Sequence, residues 1–308
     1  MAGSRTAAAQ PQPQPRGARP RRRLAPFDWI VLLILCIWAL VIIYPFYNSV
    51  LVSLVTQSEY TRSPFMLFPK HFTSVNYRFV FETDAIWKGF RVTLITASLG
   101  LIYSMFLTVT LAYPLSKKSF PGKALFLNMV ILTMFFGGGL IPYYLLVKNL
   151  GLVNSLSSLI LTAGVNTFYL LIVRNYFQSL PEELEESAKI DGASEPVILW
   201  RIILPLSLPV IVTVGLFYAV DKWNDWFTAV LFIRDPNHFP VQTVLRNIIA
   251  NTQVKNAASG VPPAMQKEAF DDGVKMASIL ITMLPIMCAY PFIQKYFMKG
   301  IMLGALKG

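Results

Sequence analysis

The chain has 308 residues, 55% hydrophobic and 14% charged, with 27 Lys and Arg against 16 Asp and Glu for a formal net charge of +11. A soluble domain carries about 25% charged residues, so this composition excludes an ordinary soluble globular protein and points to an integral membrane protein. The basic excess does not point to nucleic acid, because much of it sits in the first 23 residues and the rest lies largely in short loops, where membrane proteins keep cytoplasmic Lys and Arg.

Residues 1–26 are rich in Ala, Gln, Pro and Arg and read as a disordered basic cytoplasmic tail, with too little apolar surface to offset the entropy of ordering. The tail ends in Arg19-Pro20-Arg21-Arg22-Arg23, and an apolar stretch from Trp29 to about Val55 follows. That stretch is too long for a signal-peptide h-region and has no small-x-small cleavage site, so it is read as an uncleaved first span. Residues 27–308 then form one six-span domain, with spans at about 29–55, 89–115, 124–147, 155–175, 206–232 and 275–297. All six are expected to be helical, because backbone polar groups in lipid must be satisfied within the segment. Pro45, Pro114, Pro142, Pro209 and Pro285 are expected to kink them. Cys36 and Cys288 both lie inside apolar runs, which leaves no disulfide framework and no metal spacing.

Lys117, Lys118 and Lys123 in the short loop after span two place that loop inside with the tail, so both termini are cytoplasmic. The loops 56–88, 148–154 and 233–274 are then outside. In the last, Val244, Leu245, Ile248 and Ile249 form a short apolar stripe that reads as a docking element for something outside the membrane, against the plainer reading of a mobile linker.

The cytoplasmic insert 179–205 is the most specific segment. Ser179-Leu180-Pro181-Glu182 reads as a capping box. Glu182, Glu183, Glu185 and Glu186 crowd the first turns, where the helix dipole favours them, and Leu180, Leu184 and Ala188 make one narrow apolar stripe. Gly192 suits the left-handed residue that ends a helix, and Ser194 and Pro196 restart one that stops at Pro205. An interfacial connector would carry basic residues toward lipid headgroups. The first helix here is acidic, so a protein surface is the better partner.

Glu186-Ser187-Ala188-x-x-x-Gly192, then nine residues, then Ile202-x-Leu204-Pro205, resembles the EAA loop of the membrane subunits of binding-protein-dependent ABC importers, with Ser187 in place of the usual Ala. The flanks "SLPEELEESAKIDGASE", "RIILPLSLPV" and "WNDWF" are similar to the maltose-type sugar permeases, and "MFFGGGLIPYYLLVKNLGLVNS" to the branch serving oligogalacturonide and alginate oligosaccharide importers. The resemblance implies an all-α type I importer permease fold with a cytoplasmic coupling helix. It implies a second homologous permease subunit as heterodimeric partner, two cytoplasmic ATPase subunits and an extracytoplasmic solute-binding protein delivering an oligosaccharide, in the bacterial cytoplasmic membrane. It also assigns ATPase coupling to Glu186, Ala188, Asp191, Gly192, Ile202, Leu204 and Pro205. ATP and Mg would be held by the ATPase partners, since the one Gly-Lys pair, Gly122-Lys123, lacks the rest of a P-loop.

Within the spans, Trp223, Asn224 and Trp226 suit stacking and hydrogen bonding to a sugar and are pathway candidates, with Asn166 and Tyr169 behind them; interfacial belts and interhelical bonds are the plainer readings. Asp221 lies roughly 24 Å up the helix from Pro205 and so near the outer surface, and snorkelling to that surface is the plain reading of Lys222. Gly137-Gly138-Gly139 allows close helix approach or a broken helix. His71 and His238 have no partners that suggest catalysis, and no enzyme site is read. The alternatives are an ABC importer of a non-sugar ligand, and an ion-coupled secondary carrier, which would need ionisable groups at the midplane.

Overall fold

The computed structural model describes residues 26–63, 66–250 and 269–305. The expected tail up to residue 25, the part of the outer loop at 251–268 that includes Pro262 and Pro263, and Lys307 lie outside the described residues. By contact the chain forms two units, 1–47 and 48–308. Among the described residues there is no strand.

The first unit holds most of α1 (Pro26–Ser53), apolar on every side and exposed from Pro26 to Phe46. A helix of this length with no polar face is built for a bilayer. The second unit begins in the last turns of α1 and continues through α2 (Gln57–Arg62), α3 (Val75–Glu82) and α4 (Asp84–Ser116). Next come α5 (Lys123–Phe135), α6 (Leu140–Asn149), α7 (Leu156–Leu161) and α8 (Thr167–Gln178). The insert at 179–205 supplies α9 (Glu183–Ile190) and α10 (Glu195–Leu206), the latter passing through a π-turn at Leu199–Ile203. The chain closes with α11 (Leu208–Asn224), α12 (Phe227–Phe232), α13 (Val241–Ala250) and α14 (Asp271–Ala305).

Helix α4 organises this unit. Its 33 residues reach about 50 Å. Gly89 and Gly100 let neighbours approach: a Cβ at Gly89 would lie 3.0 Å from the Val241 Cα, and one at Gly100 3.2 Å from the Lys222 side chain. Two apolar clusters follow. One joins α4, α8, the insert and α11 through Tyr113, Leu170, Val173, Phe177, Ile198, Ile203 and Val214. The other joins α3, the start of α4, α13 and α14 through Phe79, Val80, Ile86, Val244, Ile248 and Val274. Asn76, 1% exposed, ties the second cluster to the end of α1, donating through Nδ2 to the carbonyls of Ser53 (3.1 Å) and Val55 (3.2 Å).

Among the described residues, helices α1 and α4 are each long and apolar enough to cross a membrane, and two bent pairs, α5–α6 at 115° and α10–α11 at 86°, bring the number to as many as four. The range expected for the sixth span lies within α14. Spans four and five are not the continuous helices expected, and of the two readings open at Gly137–Gly139 the third span takes the broken helix. The third breaks at Phe136–Gly139, where Gly139 has φ +85°. The fourth breaks at 162–166, with Thr162 extended and Ala163 at φ +51°, before Asn166 starts α8. The fifth breaks at Asp225, which leaves the helix at ψ 97° and accepts a hydrogen bond from the Thr228 amide (3.1 Å). Pro142 and Pro209 sit in the first turns of α6 and α11 and open these helices rather than kinking them.

The stripe on α13 needs a second correction. Val244 and Ile248 are 7% and 6% exposed and pack into the second cluster, so this half of the stripe seats α13 on its own chain, while Leu245 is half-buried and Ile249 stays exposed. An amphipathic pattern says that a face is covered but not by what.

Candidate functional site

The insert is held on the bundle by a lattice of charges. Lys117, just past the end of α4, lies 4.0 Å over the Tyr113 ring and pairs with Glu185 on α9. Lys118 pairs with Glu182 at 2.6 Å. Glu195, at the start of α10, accepts from the Tyr113 hydroxyl on one carboxylate oxygen (2.6 Å) and from Lys189 on the other (2.7 Å), so it fastens both insert helices to α4. Hydrogen bonding to Lys118 holds the Glu182 carboxyl below the usual range, and Lys189 with Tyr113 does the same for Glu195; Lys118 and Lys189 are raised in return. The last carbonyls of α4 are also met: Leu115 by Arg174 (3.1 Å), and Ser116 by Gln178 (3.1 Å) and Lys123 (3.3 Å). Cations at a helix C-terminus complement its dipole.

The predicted capping box does not form. Ser179 instead donates to the Tyr176 carbonyl at the end of α8 (2.8 Å), and Glu182 is drawn to Lys118. The C-terminus does behave as expected. Gly192 has φ +80°, its amide donates to the Lys189 carbonyl (3.0 Å), and the Ala193 amide donates to the Ala188 carbonyl (2.9 Å). This is a Schellman motif, with Ala188 and Ala193 both in the inner apolar cluster.

The residues assigned to coupling therefore divide. Ala188 is 8% exposed and seats α9 on the bundle. Ile202 and Leu204 are half-buried against the same cluster, and Pro205 is exposed. Glu186, Asp191 and Gly192 face outward. The outward face also carries Ile190, 86% exposed, which sequence reasoning missed. The signal for it was an isoleucine placed between Lys189 and Asp191 in an otherwise polar stretch. An aliphatic side chain this bare, on a helix fixed by ion pairs and a capped end, suits insertion into a partner's cleft.

The pathway candidates cluster less tightly. Trp223 packs on Phe90 with ring centroids 6.2 Å apart, and its indole N–H is buried without a partner. Trp226 lies beneath the Arg246 guanidinium at 4.3 Å, and Asn224 is exposed, 3.5 Å from the Gln242 amide. Asn166 acts as the N-cap of α8, accepting from the amides of Phe168 (2.9 Å) and Tyr169 (3.4 Å). The Tyr169 hydroxyl donates to Asp221 (2.8 Å). Lys222 does not snorkel outward: it turns inward to the carbonyls of Leu159 and Thr162. His238 lies 3.7 Å from the Asp235 carboxylate, a pairing the sequence reading did not anticipate.

Protein LplC of Bacillus subtilis is 45% identical over 271 residues, covering 86% of this chain and 90% of that protein. The polygalacturonan/rhamnogalacturonan transport system permease protein YtcP of the same organism is 40% identical, covering 92% and 98%. Among solved structures, a bacterial ABC transporter involved in the import of the acidic polysaccharide alginate matches with TM-score 0.82 at 29% identity, covering 88% of this chain and 96% of that one. Residues 118–302 match the model for the inner membrane component of binding-protein-dependent transport systems. This region runs from the basic loop through the insert and the broken spans into α14, and the chain belongs to that family of membrane permeases.

Proposed function

We propose that this chain is one of two homologous permease subunits of an ATP-driven oligosaccharide importer in the bacterial cytoplasmic membrane. It would span the membrane six times with both termini cytoplasmic. Two ATPase subunits, which bind ATP and Mg, would grip the outward face of α9, and an extracytoplasmic binding protein would deliver the sugar. The relatives' names support the substrate class: one serves polygalacturonan and rhamnogalacturonan, and the matched structure serves alginate. A path between the two permeases would expose Trp226 and Asn224 first, with Trp223, Asn166 and Tyr169 behind them.

The observation that carries this reading is α9 itself, locked to α4 through Lys117–Glu185 and Tyr113–Glu195–Lys189 while Ile190 stands bare. A lever must transmit force rather than flex, and these contacts make α9 rigid with α4. ATP-driven closure would then move the bundle by rigid-body rotation. The test is a cysteine at Ile190 in the intact importer, oxidised against cysteines placed across the ATPase surface. Crosslinking to an ATPase that is altered by ATP is expected. A label at position 190 that never captures an ATPase refutes the assignment.

A further inference from the structure

Two polar groups of α11, Tyr218 and Lys222, close on the break in span four. Helix α7 ends at Leu161, and the chain turns at 162–163, with Ala163 at φ +51°, before α8 begins at Thr167. A helix that ends inside an apolar layer leaves carbonyls without partners. Lys222 supplies them, donating to Leu159 (3.2 Å) and Thr162 (3.3 Å). The position of its stem is set by Gly100, where any Cβ would press within 3.2 Å of Cδ and Cε.

One turn earlier on α11, the Tyr218 hydroxyl accepts from the Asn166 amide (2.9 Å) and shares a hydrogen bond with Thr108 of α4 (2.8 Å). Asp221 holds the Tyr169 hydroxyl, and the Tyr169 and Tyr218 rings meet edge-on with centroids 4.9 Å apart. The broken segment is thus tied at both ends to a single helix. That helix follows α10 in the chain after the single residue Ser207 and shares the first apolar cluster with it, so it is joined to the insert both by the chain and by packing.

We propose that Lys222 and Tyr218 are positioning residues for transport, making the break at 162–166 travel as one body with α11 when the insert is driven. This rests on the coupling role of α9 proposed above. Neither residue needs to touch the sugar. Lys222 replaces the hydrogen bonds that the interrupted helix lost, and its donors belong to the element that the insert moves. The break then becomes a hinged section of the path whose position follows the ATPase.

The test uses the intact importer in lipid, with spin labels at Ala163 and Asn224 and a control pair at Ile190 in this subunit and on an ATPase. Distances are read without nucleotide and after trapping with ATP and vanadate. In the native protein and in Lys222→Arg, which keeps the donors, the 163–224 distance should stay single and unchanged while the control pair shifts. Lys222→Met removes two charge-assisted bonds, and the ratio of clamped to released populations should fall about tenfold or more. Tyr218→Phe, which removes one oxygen and keeps the ring, should broaden the same distance and serves if Lys222→Met does not assemble.

A 163–224 distance that changes on trapping in the native protein overturns the proposal. So does one that stays single in both Lys222→Met and Tyr218→Phe, or one that broadens in Lys222→Arg as much as in Lys222→Met. A control pair that never moves refutes the coupling reading instead, so the two failures are distinguishable.

Discussion

Replacing Gly192 tests the coupling helix at the point where sequence and geometry meet most closely. A Cβ at this position would have nothing within 4 Å, so substitution acts on the backbone alone. At φ +80° an L-residue costs roughly 1–2 kcal/mol. Asn tolerates the left-handed region and should lose least, Ala about 1 kcal/mol and Val more. Pro cannot adopt the angle and also removes the amide that bonds to Lys189. A loss of 1–2 kcal/mol shifts the local closed-to-open ratio about 5- to 30-fold. Because the Ala193 amide bonds to Ala188 only while the motif is closed, its hydrogen exchange should accelerate by that factor, in the order Asn, Ala, Val. In the reconstituted importer the substrate moved per ATP should fall in the same order, with Gly192→Pro uncoupled although still inserted in the membrane. Unchanged exchange at Ala193 in Gly192→Val would refute the motif as the stop of the lever. Unchanged transport per ATP in Gly192→Pro would refute the lever.

Three further outcomes rest on the same geometry. The Lys189–Glu195 pair is about half exposed, and a double-mutant cycle with Lys189→Met and Glu195→Gln, read by exchange of the α9 amides, should give a coupling of about 0.2–1 kcal/mol that fades in high salt. The Glu182 and Glu195 contributions are present above the ordinary carboxylate value of 4.5 and are lost as pH falls through their lowered values, whereas Lys118 and Lys189 contribute below 10.5 and lose it as pH rises through their raised ones. Protection of α9 should therefore be flat between those limits and fall in acid; a decline centred near neutral pH would contradict the assignment. Asn76→Leu strands the Ser53 and Val55 carbonyls and the Phe270 amide in a buried site and should destabilise the purified protein by about 2–5 kcal/mol, seen as a lower unfolding midpoint.

The sequence made some of this legible and hid the rest for identifiable reasons. Gly192 was readable because a glycine after an acidic amphipathic turn has few other uses, and the structure gives it the left-handed angle expected. The capping box failed because Ser179 had a competing acceptor at the end of α8, which a local motif does not reveal. The breaks in spans three to five were invisible to hydropathy: Thr162, Ala163 and Gly164 are small and apolar enough to pass as helix, and only backbone angles separate them. Lys117 and Lys118 were read as topology signals. Their pairing with Glu185 and Glu182, more than sixty residues away, was not. Lys222 was placed at the outer surface by counting residues along one helix, when its partners lie on another.

The elbow at Gly137–Gly139 bears on how such a protein comes to exist. A 115° turn of bare peptide groups has no place against hydrocarbon; it persists only against other protein or in a wetted cleft. Phe135 and Phe136, 76% and 72% exposed beside it, likewise have no cover from their own chain. A lone copy released from the ribosome would thus be an unfinished object, open along one flank. The second permease subunit proposed above would close that flank, and matched synthesis of the two would then be as much a condition of folding as of transport.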